Sequence, residues 1–355
     1  MKTKHFQIWF PKIALFLAAL FITLFFLQRL LMPKYMSDIV EGALTAEYYE
    51  ETTDHEVLFV GDCEVYENFS PITLYQEYGI SSYIRGSAQQ LAWQSYYMLE
   101  DTLRYETPKV VVFNVLALKY DEPQSEAYNR MTIDGMKLSK TKLDAIEASM
   151  TDRENMLDYI FPILRYHSRW SELSAEDFRY LFSKDKISHN GYYMRVDVRP
   201  AEGFPEPDIL ADYTLGSYAM GYLDKMRKLC EDKGIALVLV KSPSLFPHWY
   251  DEWDEQIVAY AEQHGLNYFN YEKLAKTVGI DYNTDTYDAG LHMNLAGAEK
   301  LSSYFGKYLK ENYELIDYRY DPDYQSAYAK KIRFYEEMEA AQRQELAEYG
   351  EIRSF

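Results

Sequence analysis

Beyond residue 55 the chain alternates short, continuous apolar runs with longer stretches of helical spacing. The runs are Val57 to Val60, Ser82 to Ile84, Val110 to Val115, Ile235 to Val240 and Tyr268 to Phe269, each of strand length. Between them, "LAWQSYYMLEDTLRYE" and "YAMGYLDKMRKLCEDKG" repeat apolar residues at helical intervals, and Gly234 closes the second as a C-terminal cap. Continuous rather than alternating apolar strands, separated by helices, predict a parallel sheet covered on both faces.

Three stretches depart from this rhythm. At the start, Ile13 to Leu27 is uninterruptedly apolar, and Ile8 to Met32 is long enough to cross a bilayer once Gln28 and Arg29 reach toward the interface. Lys2, Lys4 and Lys12 before the run outnumber Arg29 and Lys34 after it, which predicts a cytoplasmic N-terminus and an extracytoplasmic body. A cleaved signal peptide is the competing reading, but no small-x-small site follows the run. In the middle, residues 121–212 hold no strand pattern, only helical stretches and a Gly/Pro-rich return, and so predict a helical insertion that could form a lid over one end of the sheet. At the end, residues 317–355 form a charged helix with a stripe through Tyr328, Ile332, Tyr335 and Met338; it either folds back on the domain or binds a partner. The expected organisation is therefore 1–34 cytoplasmic tip and transmembrane anchor, 35–55 linker with a short helix in its acidic, Tyr-containing stretch from Ser37 to Asp54, 56–316 α/β domain with the insertion, and 317–355 C-terminal helix.

Composition narrows the function. A formal charge of -19 argues against nucleic acid and against electrostatic docking on anionic lipid. The 7 histidines are scattered without a His-Glu-x-x-His or Cys-x-x-Cys motif, so no metal site is expected. With only Cys63 and Cys230, disulfides are no framework, although a bridge between the two is conceivable.

In an open parallel sheet, ligands bind beyond the carboxyl ends of the strands. There the sequence places Gly61, Asp62 and Cys63; Arg85, Gly86 and Ser87; Asn114; and Lys241 and Ser242. A thiol at a strand-to-helix turn can attack a carbonyl, and the helix N-terminus would favour its thiolate. The resulting oxyanion needs N–H donors, which the Cys63 and Gly86 backbones and the Asn114 amide could supply, with Arg85 beside them for substrate binding. A base appears late, in "NTDTYDAGLHMNLAGAEKLSSYFGKYL": His292 precedes an amphipathic helix beginning near Ala296, and Asp288 lies one helical turn before it. Asp62 would cap the turn after Val60, and Glu64 would raise the thiol pKa if it pointed inward. In the insertion, Arg165, His167, Arg169 and Trp170 either line a substrate path or form a packed helix face.

These residues carry a resemblance. "VLFVGDCEVYENFSP" resembles the first block of the SGNH, or GDSL-like, hydrolase superfamily, with Cys63 in place of the serine. Gly86 in "IRGSAQQ" is similar to its second-block glycine, Asn114 to its third-block asparagine, and "DAGLHMNLAGAEKL" to its Asp-x-x-His block. The His-hydrophobic-Asn-x-x-Gly-Ala tail is similar to that of the membrane-anchored branch of DltD-, AlgJ- and AlgX-like proteins. The resemblance implies a flavodoxin-like three-layer α/β/α fold of strand order 2-1-3-4-5. It further implies ester hydrolysis or acyl transfer on a cell-envelope or exported polysaccharide without metal or cofactor, and a multi-spanning membrane O-acyltransferase as partner. Two departures stand out: cysteine replaces serine, and Asp288 lies one residue further from His292 than the family spacing, which leaves Asp285 as an alternative orienting acid. Other readings are a catalytically inactive binding or assembly protein, and a papain-like peptidase using Cys63, His292 and Asn294.

Overall fold

The computed structural model describes residues 2–32, 34–35, 39–40, 42–182, 186–203 and 206–353, with side chains described for 9–32 and, within those ranges, from 42 onward. Its centre is a five-stranded parallel sheet of β1 (Val57–Gly61), β2 (Ser82–Gly86), β3 (Val110–Asn114), β4 (Ala236–Lys241) and β5 (Asn267–Asn270). The order is β2-β1-β3-β4-β5, the 2-1-3-4-5 expected from the sequence. The reversal of order at β1 opens a crevice beyond the carboxyl ends of β1 and β3.

Alternation within buried strands divides the interior in two. Leu58, Val60, Val111, Phe113, Leu237 and Leu239 face one core, closed by helices Ala92–Thr102, Ser217–Lys233 and Asp251–His264. Val57, Phe59, Val110, Val112, Val238 and Val240 face the other, under helices Pro71–Tyr78, Leu295–Asn312 and the C-terminal helix Pro322–Tyr349. Both faces are covered, which is why these strands read as unbroken apolar runs. Gly234 takes the left-handed conformation that ends its helix, with Ile235 N–H donating to the Cys230 carbonyl at 2.9 Å.

The C-terminal helix folds back on the domain. Tyr328 stacks on Tyr75, Tyr335 reaches Ser70 and Glu299, and the buried Gln342 amide bonds the backbone of Met194 and Val196. The segment expected as a linker is packed as well, as helix Ala43–Glu47 and the 3-10 turn Tyr48–Glu50. Tyr48 lies buried under the Arg85 guanidinium, His55 is held by Glu106, and Glu51 pairs with Lys331. Residues 43–55 therefore belong to the body of the domain. Tyr48 and Tyr49 are part of the reason: each packs its ring while keeping its hydroxyl bonded, to Glu106 and to Asp101.

In the insertion, helix Lys140–Ser149 packs on helix Ala92–Thr102, and the pieces Ile163–Tyr166 and Ala175–Tyr180 pack on the N-terminal helix Lys2–Leu31. The part that borders the sheet is the irregular return, where Asn190 bonds both Ile84 N–H and Ser82 carbonyl along the free edge of β2. Within the N-terminal helix, Trp9–Leu31 is long and apolar enough to cross a membrane, a property it shares with signal sequences.

Candidate active site

The site is built on the turn that follows β1. Asp62 caps the four-residue helix Cys63–Tyr66 by accepting the Glu64 N–H at 3.1 Å, as the sequence suggests, and this sets Cys63 at the first helical position. Gly61 and Gly86 are register partners at the strand ends. A Cβ on Gly86 would stand 3.0 Å from Val65 Cγ2 and 3.1 Å from the Gly61 carbonyl oxygen, so glycine is what lets β2 approach this turn.

The loop before helix Leu295–Asn312 brings in the imidazole. A bridge between Thr286 and Met293 closes it, and Ala289 takes a left-handed φ of 66°. Asp288 then grips His292 twice: Oδ1 accepts its backbone N–H at 2.8 Å and Oδ2 meets Nδ1 at 2.6 Å. The wider spacing between the two residues is thus compatible with a direct bond. Asp285 turns the other way, to Lys300 at 2.6 Å and the Asp281 N–H at 2.7 Å. With Nδ1 engaged, Nε2 is the nitrogen left free, and His292 lies close enough to Cys63 for the charges of the two groups to affect each other.

A second carboxylate, not anticipated from the sequence, completes the group. Glu67 lies 3.2 Å from His292 Nδ1 and accepts the Tyr287 hydroxyl. It is buried at the end of the short helix, with its N–H on the Cys63 carbonyl, and its i,i+4 relation to Cys63 was the available signal. Arg195, forked onto Asp197 at 3.0 Å, lies over the Tyr287 ring, which in turn stacks near the imidazole. Lys119 lies within electrostatic range of Asp62, Glu64 and Cys63, and burial pulls its ammonium pKa down although those charges oppose the shift.

Burial pushes the Cys63 thiol up to about 11, and nearby Asp62 and Glu67 push it the same way, while His292 opposes them. This corrects the expectation of a thiolate favoured by the helix N-terminus: one turn of dipole does not offset desolvation. Burial works against the imidazolium of His292, but Glu67, Cys63 and the Asp288 bond together hold its pKa well above the ordinary histidine range. Burial likewise raises the Glu67 carboxyl, against the His292 charge and the Tyr287 hydroxyl, so these groups titrate as one unit. A base works only when neutral, so activity should rise with pH through this raised value. Glu67→Gln removes one carboxylate, and the acid limb of the pH–rate profile should move to lower pH; an unmoved limb would mean that Glu67 does not hold the imidazolium.

Two expected site residues are placed elsewhere. Arg85 follows strand alternation to the side of Tyr83, where it is buried against Asp101 at 2.9 Å and Thr102 at 3.1 Å, away from the crevice. The Asn114 amide donates to Glu64 Oε2 and Ser242 Oγ, both at 3.0 Å, and its oxygen accepts the Leu116 N–H, so it is committed to a buried network. That network centres on Lys241, 2.9 Å from Glu64 Oε1 and bonded to the Ser242 and Ser244 carbonyls. Glu64 consequently faces Lys241. Asn294 caps helix Leu295–Asn312 through the Gly297 N–H, which removes the third member of a papain-like arrangement. Cys230 is buried and, like Cys63, free. In the insertion, Arg165 pairs with Glu126 and Arg169 with Asp177, while Trp170 is exposed.

Glu67, Asp288 and His292 offer ligand atoms within 4.8 Å of one another, close enough to hold a cation. The Nδ1 hydrogen bond to Asp288, with Glu67 3.2 Å away as a second negative charge, accounts for the same cluster as an acid-oriented imidazole.

No family model and no curated protein matches the chain. The solved structures that resemble it include a GDSL-like lipase from Bacteroides thetaiotaomicron VPI-5482, at 12% identity and a TM-score of 0.35 over 76% of this chain and 96% of the other, and a putative acylhydrolase from Bacteroides fragilis NCTC 9343, at 12% identity and a TM-score of 0.36 over 75% and 94%. Overlap at these values is loose, and the fold rests on the order and direction of the five strands.

Proposed function

We propose that the protein is a membrane-anchored, extracytoplasmic esterase or O-acyltransferase that acts on a cell-envelope or exported polysaccharide through a thioester on Cys63. The observation that supports this most is an imidazole gripped by Asp288 within electrostatic range of a thiol at the carboxyl edge of the sheet. His292 Nε2 takes the thiol proton as sulfur attacks the ester carbonyl, while the Cys63 and Gly86 N–H groups, with Lys119 nearby, receive the oxyanion. The intermediate collapses by expelling the alkoxide, which takes the proton from His292 and leaves the thioester. A sugar hydroxyl or water then gives its proton to His292 and attacks the thioester carbonyl; sulfur departs and recovers the proton. A thioester is a more reactive donor than an oxygen ester, which suits transfer to an alcohol. A multi-spanning O-acyltransferase is the partner expected to supply the acyl group.

The test is acetate released from an aryl acetate by the full chain in detergent, with and without an acetylatable polysaccharide. Turnover that moves acetyl to the glycan supports the transferase; turnover to free acetate alone supports the esterase; no turnover above buffer contradicts both. A second reading, a binding or assembly relative, is favoured by the diverted Asn114 amide and the raised thiol. It would be supported if Cys63→Ala and His292→Ala left cellular function intact while deletion of the C-terminal helix abolished it.

A further inference from the structure

The last turn of the N-terminal helix is gripped by a collar. The pieces Ile163–Tyr166, His167–Ser171 and Ala175–Tyr180 all pack against that helix. Arg169 caps it, donating to the Leu31 carbonyl at 2.9 Å while bonding Asp177 at 3.2 Å. Leu31 is only 3% exposed, whereas Ile13, Phe16 and Phe21 on the same helix stand open. The collar also turns large apolar side chains outward: Leu157, Phe161, Leu164, Trp170, Phe178 and Phe182, each at least half exposed, with Trp170 at 73% and Phe182 at 85%.

A helix from Trp9 to Leu31 has 23 residues and rises about 34 Å, enough to fill the hydrocarbon core, so its end lies at the far interface. Whatever encircles Leu31 lies at that depth. Residues 156–182 hold Arg165, Arg169 and Arg179 against Asp158, Glu172, Glu176 and Asp177, a nearly balanced set that offers no cationic patch for anionic lipid. Exposed aromatic and aliphatic side chains on short helical pieces are what partition into the headgroup boundary without net charge.

We infer that the collar of residues 156–182 is a monotopic membrane foot, embedded in the lipid interface beside the spanning helix, which holds the catalytic domain against the bilayer. The inference rests on the N-terminal helix spanning the membrane, and its occupant is phospholipid.

The full chain, in a Cys63→Ser background with Cys230 buried, is to be nitroxide-labelled at Trp170→Cys, Phe182→Cys or Ile209→Cys and reconstituted into phosphatidylcholine liposomes. Flotation reports the anchor. Collisional broadening by oxygen and by a water-soluble nickel chelate reports the foot. The expected oxygen-to-nickel accessibility ratio at 170 and 182 is several-fold above that at Ile209, which is 94% exposed, and high salt does not change it. Flotation with ratios at 170 and 182 equal to that at 209 would overturn the foot and leave the anchor standing. Exclusion of both reagents would also overturn it, because another copy of the protein would then cover the patch. Failure to float would remove the span and the foot together.

Discussion

His292→Ala should slow release of the alcohol from an aryl acetate by about 10²–10⁴-fold, the usual contribution of a positioned general base. The effect should be this large because burial pushes the Cys63 thiol up to about 11, leaving little thiolate near neutrality without a proton acceptor. Asp288→Asn should give a smaller loss, since it disturbs the tautomer and orientation of the imidazole while leaving the ring in place. Asp285→Asn should leave the rate near wild type, because its carboxylate serves Lys300 and the Asp281 N–H. Stopped-flow measurement of the first turnover separates acylation from later steps. Equal losses for Asp288→Asn and Asp285→Asn would show that the orienting acid has been misassigned.

The second large effect falls on stability. Lys241→Met leaves the Glu64 carboxylate in the interior without the cation bonded to it, while Asn114 still donates to its other oxygen. Breaking one side of a buried pair costs about 3–5 kcal/mol, so the variant should melt well below wild type. Adding Glu64→Gln removes the stranded charge, and the double variant should recover part of the loss. Thermal melts of wild type, both single variants and the double variant close this cycle; additive losses would mean that the pair is not coupled. The same pair ties the end of β4 to the turn that carries Cys63, so Lys241→Met should also impair acylation in the protein that remains folded.

Much of this architecture was legible in the chain. Strands buried on both faces read as continuous apolar runs, and residues Val57, Val110 and Ala236 begin β1, β3 and β4 within a residue of where the runs start. Cys63, Asp288 and His292 were legible because each is fixed by local geometry, a turn after a strand or a loop before a capped helix. Arg85 and Asn114 were misplaced because the direction of a strand-end side chain depends on what lies across the sheet. Alternation put Arg85 beside Tyr83, facing Asp101, and Ser242, just past the end of the neighbouring strand, drew the Asn114 amide inward. Glu67 had a local sign in its i,i+4 relation to Cys63, but its meeting with His292, like the placement of Lys119, depends on the packing of segments distant in sequence. In the segment expected as a short helix and linker the helix is present, and Tyr48 packs its ring against Tyr83 of β2 and Arg85, a burial that its neighbours in sequence do not announce.

The most direct measurement is the mass of the intact chain after brief exposure to an activated acetyl ester, followed by peptide mapping at neutral pH. A thioester-linked acetyl group on the peptide containing Cys63, removed by hydroxylamine, absent from Cys63→Ala and much slower to form in His292→Ala, is the expected result. An unmodified Cys63 across several acyl donors in the folded wild-type protein would contradict acyl transfer through this residue.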